Sequence, residues 1–242
     1  MATEINLLRT KVVIAVSGCG GCNQGPQQIY SMLQKLYGND SLTVFPVDTL
    51  PDNIEENVAT VISIALKYLS DSKDIYLMGY SMGGAVAVQA ANELNQRAER
   101  PVKGVVLLNS QIEGLQYLNG LDVPVLFYQG EADSVFPLWQ IESIFTEYSG
   151  LKRMVKMADL NHELSQENIS SSKEFMQCLA KTIFSEMSCF LFNSRLNEHE
   201  SKSIVVTKIV SPPSKKGIFS NFVNIFRNCN CCSTAKKSNK TL

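Results

Sequence analysis

Short apolar runs alternating with segments of helical periodicity constrain this chain more than any other feature of its sequence. Val12-Val13-Ile14-Ala15-Val16 is almost wholly β-branched and ends in a Gly-rich turn, the pattern of a strand buried on both faces. Further strands are predicted over 42–47, 75–78, 105–108, 123–128 and 152–157. Helices are predicted over 26–37, 54–69, 85–97, 138–148 and 163–187. In the second of these, Ile54, Val58, Val61, Ile62, Ala65 and Leu69 recur at helical spacing and line one face. Alternation of this kind requires crossover connections. The expected fold is therefore α/β, a mostly parallel sheet of about six strands with helices on both faces. Ligands of such sheets sit at the carboxyl ends of the strands. The residues just after each strand are where chemistry is to be sought.

The chain has 242 residues, 45% of them hydrophobic, enough for one sizeable core. The expected organisation is one domain over 1–190 and a C-terminal extension over 191–242. The net charge of −1 conceals an asymmetry: residues 201–242 carry eight Lys or Arg and no Asp or Glu, which leaves −9 on residues 1–200. Within the extension, apolar residues at 218, 219, 222, 223, 225 and 226 share one helical face, and Cys229, Cys231 and Cys232 follow. An amphipathic segment over 217–228, flanked by basic residues, fits an anionic membrane surface, and the three Cys beside it are candidates for S-palmitoylation. Sparse mixing of aromatic and basic residues argues against nucleic acid as the partner. The first residues show no signal-peptide pattern. The seven Cys do not space like a disulfide framework. The expected setting is cytoplasmic, at the cytosolic face of a membrane.

Gly79-Tyr80-Ser81-Met82-Gly83-Gly84 lies between a predicted strand and an Ala-rich predicted helix. A Gly-x-Ser-x-Gly run there forms a sharp reversal that lifts the Ser hydroxyl clear of the sheet. It also turns the Met82 N–H inward at a helix N-terminus, where negative charge is stabilised. A serine hydroxyl needs a base, and the chain has only two His. His199 stands between Glu198 and Glu200 and reads as solvated. His162 follows the sixth strand and is the candidate base. The carboxylate that orients it should follow the fifth strand. Asp133 is the better placed there, with Glu131 as the alternate.

The order Ser81, Asp133, His162 along successive strand ends resembles the α/β-hydrolase superfamily, and Gly-Tyr-Ser-Met-Gly-Gly looks like the elbow of its lipases, esterases and thioesterases. The resemblance covers roughly residues 11–186. It implies acyl transfer through Ser81, with the N–H groups of Cys19 and Met82 as oxyanion donors. It implies no cofactor and no metal, and no metal-ligand spacing is seen in the sequence. Only residues 109–122 join the fourth and fifth strands, where many lids are inserted, so no large lid is expected. An open site suits small esters, or acyl groups presented by large carriers. Ile112, Leu115, Tyr117 and Leu118, together with Phe136 to Trp139, offer apolar walls. Two other readings stand beside the esterase or thioesterase. One is an inactive hydrolase-like scaffold that binds a partner at a membrane. The other is a redox protein, because Cys19 and Cys22 have the spacing of a thioredoxin-like pair.

Overall fold

The computed structural model describes residues 10–192 and 204–207, apart from 22–23, 40–41, 72, 98 and 167–171. Seven strands form one sheet: β1 (Lys11–Val16), β2 (Leu42–Val47), β3 (Asp74–Tyr80), β4 (Val102–Leu108), β5 (Val125–Gly130), β6 (Lys152–Met157) and β7 (Ile204–Thr207). Their order is β2-β1-β3-β4-β5-β6-β7, and every pairing is parallel. Among the described residues, five α-helices accompany them: α1 (Ile29–Tyr37), α2 (Ile54–Ser70), α3 (Met82–Asn95), α4 (Leu138–Glu147) and α5 (Lys173–Glu186). The chain runs outward from β1 to β2, then crosses back to β3. The ends of β1 and β3 therefore flank the point where strand order reverses, which is where a crevice opens in such sheets.

Because strand side chains alternate between faces, the sheet carries two cores. Val12, Ile14 and Val16 face one side with Val61 and Ala65 of α2, Val88 and Ala91 of α3, and Ile141 and Phe145 of α4. Val13 and Ala15 face the other, with Ile29 and Leu33 of α1 and Phe175, Leu179 and Ile183 of α5. Both faces of β1 are thus dry, which is why its sequence is apolar without alternation. Asn53 caps α2: its Oδ1 accepts from the Glu56 N–H at 3.1 Å, while its Nδ2 donates to the Glu56 carboxylate at 2.8 Å. That reciprocal pair satisfies a donor the helix cannot.

Two features differ from the expectation. The sheet has a seventh strand, β7, paired with β6 and lying beyond residue 190. Helix α5 starts at Lys173 rather than near Glu163. The Asn161 side chain accepts from both the N–H and the hydroxyl of Ser165, at 3.1 and 3.0 Å, and Leu164 takes a positive φ of 55°. Residues 161–165 are therefore a tight turn. The helix begins only where Ser172 caps it through the Phe175 N–H. His199, the segment over 217–228 and Cys229, Cys231 and Cys232 lie outside the described residues. Among the described residues, no helix is long and apolar enough to cross a membrane.

Helix α4 ends on a buried cation. The Lys152 ammonium donates to the carbonyls of Phe145, Thr146 and Tyr148 at 2.5, 3.1 and 2.5 Å. These carbonyls have lost their helical partners, and the helix dipole favours a positive charge beside them. Lys152→Met keeps the aliphatic length but removes the donors. It should cost about 2–3 kcal/mol, read as a lowered urea midpoint at unchanged slope.

Candidate active site

The sharp turn between β3 and α3 sets the site. Ser81 takes φ 52° and ψ −125°, a conformation that non-glycine residues adopt only where the surroundings enforce it. Two close approaches enforce it here. A Cβ at Gly79 would run into the Gly83 backbone, and one at Gly83 would run into the carbonyls of Val16 and Ser17. Small residues at both positions let α3 start directly against the end of β1. The Ser81 main chain is gripped as well: its N–H donates to the Leu108 carbonyl at 3.1 Å, and its carbonyl accepts from the Gln111 N–H at 2.9 Å.

Ser81, Asp133 and His162 meet, although 81 residues separate the serine from the histidine. The His162 Nε2 lies 3.1 Å from the Ser81 Oγ, and its Nδ1 lies 3.0 Å from the Asp133 Oδ2. With Nδ1 protonated and donating to Asp133, Nε2 is left to accept the Ser81 hydroxyl proton. The imidazole packs against two rings, Tyr80 and Phe136, each with its centroid 5.3 Å away. The Tyr80 phenol is pushed up by burial and by the Glu163 carboxylate with which it hydrogen-bonds, so it stays neutral.

Asp133 is buried and fully committed. Its Oδ1 accepts from the N–H groups of Val135 and Phe136 at 2.8 and 2.9 Å, and its Oδ2 accepts from Gln129 Nε2 at 3.1 Å as well as from His162. Burial alone would raise the carboxyl pKa, but the bonds from His162, Phe136 and Val135 outweigh it and hold the group below its ordinary value. A depressed folded-state value means that ionised Asp133 stabilises the fold above the unfolded carboxyl pKa. That contribution is lost as pH falls through the folded one. Glu131, the alternate carboxylate, is exposed, and the imidazole's carboxylate partner is Asp133.

The loop after β1 lies against the serine: a Cβ on Gly18 would sit 3.2 Å from the Ser81 Cβ. Thr49, buried just beyond β2, donates its hydroxyl to the Gly18 carbonyl, which also accepts from the Gly21 N–H at 2.9 Å. A trans peptide points its N–H opposite its C=O. Fixing the Gly18 carbonyl therefore fixes the direction of the Cys19 N–H. Met82 is the first residue of α3, where an N–H has no partner within the helix. The Cys19 thiol is exposed, with Asp52 Oδ1 at 3.7 Å, while Cys22 lies outside the described residues. The apolar walls divide. Leu115 and Leu118 are core residues and Ile112 packs against that core, while Tyr117 and Trp139 are exposed.

Sequence reasoning passed over Thr49, Asn109 and Gln129 as site residues. All three stand at the carboxyl ends of strands, and that position was the available signal. Among the described residues, no cluster of His, Cys, Asp and Glu is arranged to hold a metal ion.

The phospholipase/carboxylesterase family model matches residues 48–180. The chain belongs to this esterase- and lipase-type hydrolase family of the α/β-hydrolase superfamily. Solved structures of the same fold include a monoacylglycerol lipase from Paleococcus ferrophilus, with 15% identity and a TM-score of 0.57 over 73% of this chain and 96% of that one. A dienelactone hydrolase from Anabaena variabilis has 17% identity and a TM-score of 0.57 over 76% and 88%. Est1E from Butyrivibrio proteoclasticus has 12% identity and a TM-score of 0.54 over 76% and 90%. Among curated proteins, none matches the chain significantly. The all-parallel sheet and the family membership displace the thioredoxin-like reading.

Thr49→Val removes the hydroxyl that holds the Gly18–Cys19 peptide, while Thr49→Ser keeps it. If that peptide serves as an oxyanion donor, the Val variant should lose about tenfold in kcat at unchanged KM, and the Ser variant should stay near wild type. Steady-state ester hydrolysis checks both.

Proposed function

We propose that the protein is a serine hydrolase that cleaves carboxylic esters or thioesters through an acyl-enzyme. The observation that carries this reading is the chain of contacts from Asp133 to His162 to Ser81, at 3.0 and 3.1 Å. In the proposed cycle the His162 Nε2 takes the Ser81 proton as Oγ attacks the acyl carbon. Asp133 holds the tautomer and stabilises the imidazolium. The developing oxyanion is met by the N–H groups of Cys19 and Met82, the latter reinforced by the α3 N-terminus. The imidazolium then protonates the leaving group, and water, deprotonated by the same imidazole, releases the acid. These steps call for no metal or cofactor.

The site's surroundings support an acyl substrate reached from an open face. The connection from β4 to β5 holds only a short 3₁₀ turn over Leu115–Gly120, not a lid. Val135 and Trp139, on either side of the Phe136 that packs on His162, expose 54% and 67% of their surface. Apolar side chains left in water on the segment that packs on the base suit an acyl chain.

The same reading puts the protein at the cytosolic face of an anionic membrane, held by the amphipathic segment over 217–228 with its flanking basic residues and by acylation of Cys229, Cys231 or Cys232. Its support is the sequence pattern of the tail, and one acyl chain with a basic patch is a physically adequate anchor.

Hydrolysis of p-nitrophenyl acetate, p-nitrophenyl butyrate and an acyl thioester tests the chemistry. Ser81→Ala and His162→Ala should each lower kcat by about 10⁴-fold or more. Turnover that survives Ser81→Ala would end the proposal, and a well-folded native protein without turnover would favour the scaffold. For the tail, the full chain with Lys215, Lys216 and Arg227 changed to Ala should bind phosphatidylserine vesicles about 10²-fold more weakly, at about 1 kcal/mol per charge. Unchanged binding would remove the electrostatic anchor.

A further inference from the structure

We propose that Asn109 is the positioning residue that sets the His162 loop against Ser81. The inference rests on the serine-hydrolase reading and adds to it the part that aligns base with nucleophile. Asn109 directly follows β4, is fully buried, and takes a positive φ of 40°. Its Nδ2 donates to two consecutive carbonyls of the base loop, Asn161 and His162, both at 2.9 Å. Its Oδ1 accepts from the Gly130 N–H at 2.8 Å, at the start of the loop that carries Asp133. Its own N–H donates to the Tyr128 carbonyl at 2.9 Å.

The neighbours of Asn109 give these bonds their meaning. Leu108 accepts from the Ser81 N–H, and Gln111 donates to the Ser81 carbonyl. The segment 108–111 therefore grips the nucleophile's main chain while Asn109, within it, grips the base's main chain. The acid and base loops have bonds of their own, from the Glu131 N–H to the Met157 carbonyl and from the Ala132 N–H to the Leu160 carbonyl, at 2.9 and 3.0 Å. Those bonds keep Asp133 with His162, and β5 stays paired with β4 whatever residue 109 carries. Without the Asn109 amide the base loop loses its two bonds to the segment that grips the elbow, and His162 shifts relative to Ser81. The distance that suffers is the 3.1 Å from Nε2 to Oγ. A displacement of about 1 Å in a reacting geometry costs on the order of 10²-fold in rate. Substrate binding does not use this contact, so the loss falls on kcat.

The positive φ supplies a rival role. Asn is among the few non-glycine residues that tolerate the left-handed region, so the rival role is one of backbone conformation alone. Glycine separates the two roles, because Asn109→Gly keeps the conformation and removes the amide. Asn109→Asp keeps the shape but turns an oxygen toward the two carbonyls.

The test compares wild type, Ser81→Ala, Asn109→Gly and Asn109→Asp. Three readings are taken on each: the rate of labelling by a fluorophosphonate probe, kcat and KM for p-nitrophenyl butyrate, and circular dichroism at the assay temperature. The expected result is a folded Asn109→Gly protein labelled about 10²-fold more slowly, with kcat reduced to match and KM within about threefold. Wild-type labelling by Asn109→Gly, with Ser81→Ala silent, overturns the inference and leaves the hydrolase reading standing. A raised KM at unchanged kcat overturns it too. If the glycine variant does not fold, Asn109→Asp is read for the same outcomes. If neither folds, Asn109 is a scaffold residue and the inference fails. A wild-type protein that does not label overturns both readings.

Discussion

Helix α3 begins almost in contact with the end of β1, and the site depends on that approach. The Gly83 backbone sits where any side chain would strike the carbonyls of Val16 and Ser17. Only this closeness lets the chain reverse within the single residue Ser81, at φ 52°. From the reversal follow a hydroxyl raised above the sheet, a Met82 N–H at the first position of α3, and a Gly18–Cys19 peptide beside the serine. The strain is held by the Leu108 and Gln111 bonds to the Ser81 main chain and by the two packed cores beneath. Backbone strain of this kind persists when its surroundings over-determine it.

Electrostatics then divides the site in two. On the side of Ser81, the N-terminus of α3, which begins at Met82, favours negative charge. On the side of Asp133, four hydrogen bonds keep one carboxylate ionised although it is buried. The imidazole lies between, packed against Tyr80 and Phe136. Its nitrogens face Ser81 and Asp133. Family membership fixes the general chemistry as that of esterases and lipases. The residue-level mechanism is the reading this geometry supports.

Much of this was legible in the sequence, for reasons that are local. Val12 to Val16 is apolar throughout because both faces of β1 are covered, and Ile54 to Leu69 shows one apolar face because α2 covers one side of the sheet. The Gly-x-Ser-x-Gly run announces the reversal because its glycines are steric necessities. What escaped depends on strand pairing and on single side-chain bonds that periodicity does not register. Strand β7 returns to the sheet after a polar stretch that resembles the start of a tail, and its pairing with β6 leaves no mark in either segment alone. Helix α5 starts later than its periodicity suggests, because periodicity does not register the bonds that Ser165 donates to the Asn161 side chain. Thr49 and Asn109 are single polar residues whose bonds reach backbone brought together by the fold, while Gln129 bonds to Asp133 and Phe136 in the loop just after it. Asn109 is bonded to carbonyls 52 and 53 residues away. Their one sequence signal is a place at a strand's carboxyl end, shared with residues that do nothing.

The most direct test of the central claim is a crystal structure of the protein after reaction with a fluorophosphonate, whose tetrahedral phosphorus imitates the acyl-transfer intermediate. The account predicts a covalent bond from phosphorus to the Ser81 Oγ. It also predicts a phosphoryl oxygen within about 3 Å of both the Cys19 and Met82 nitrogens, with His162 still bonded to Asp133. An adduct on another residue, or one on Ser81 whose phosphoryl oxygen turns away from both N–H groups, would contradict it.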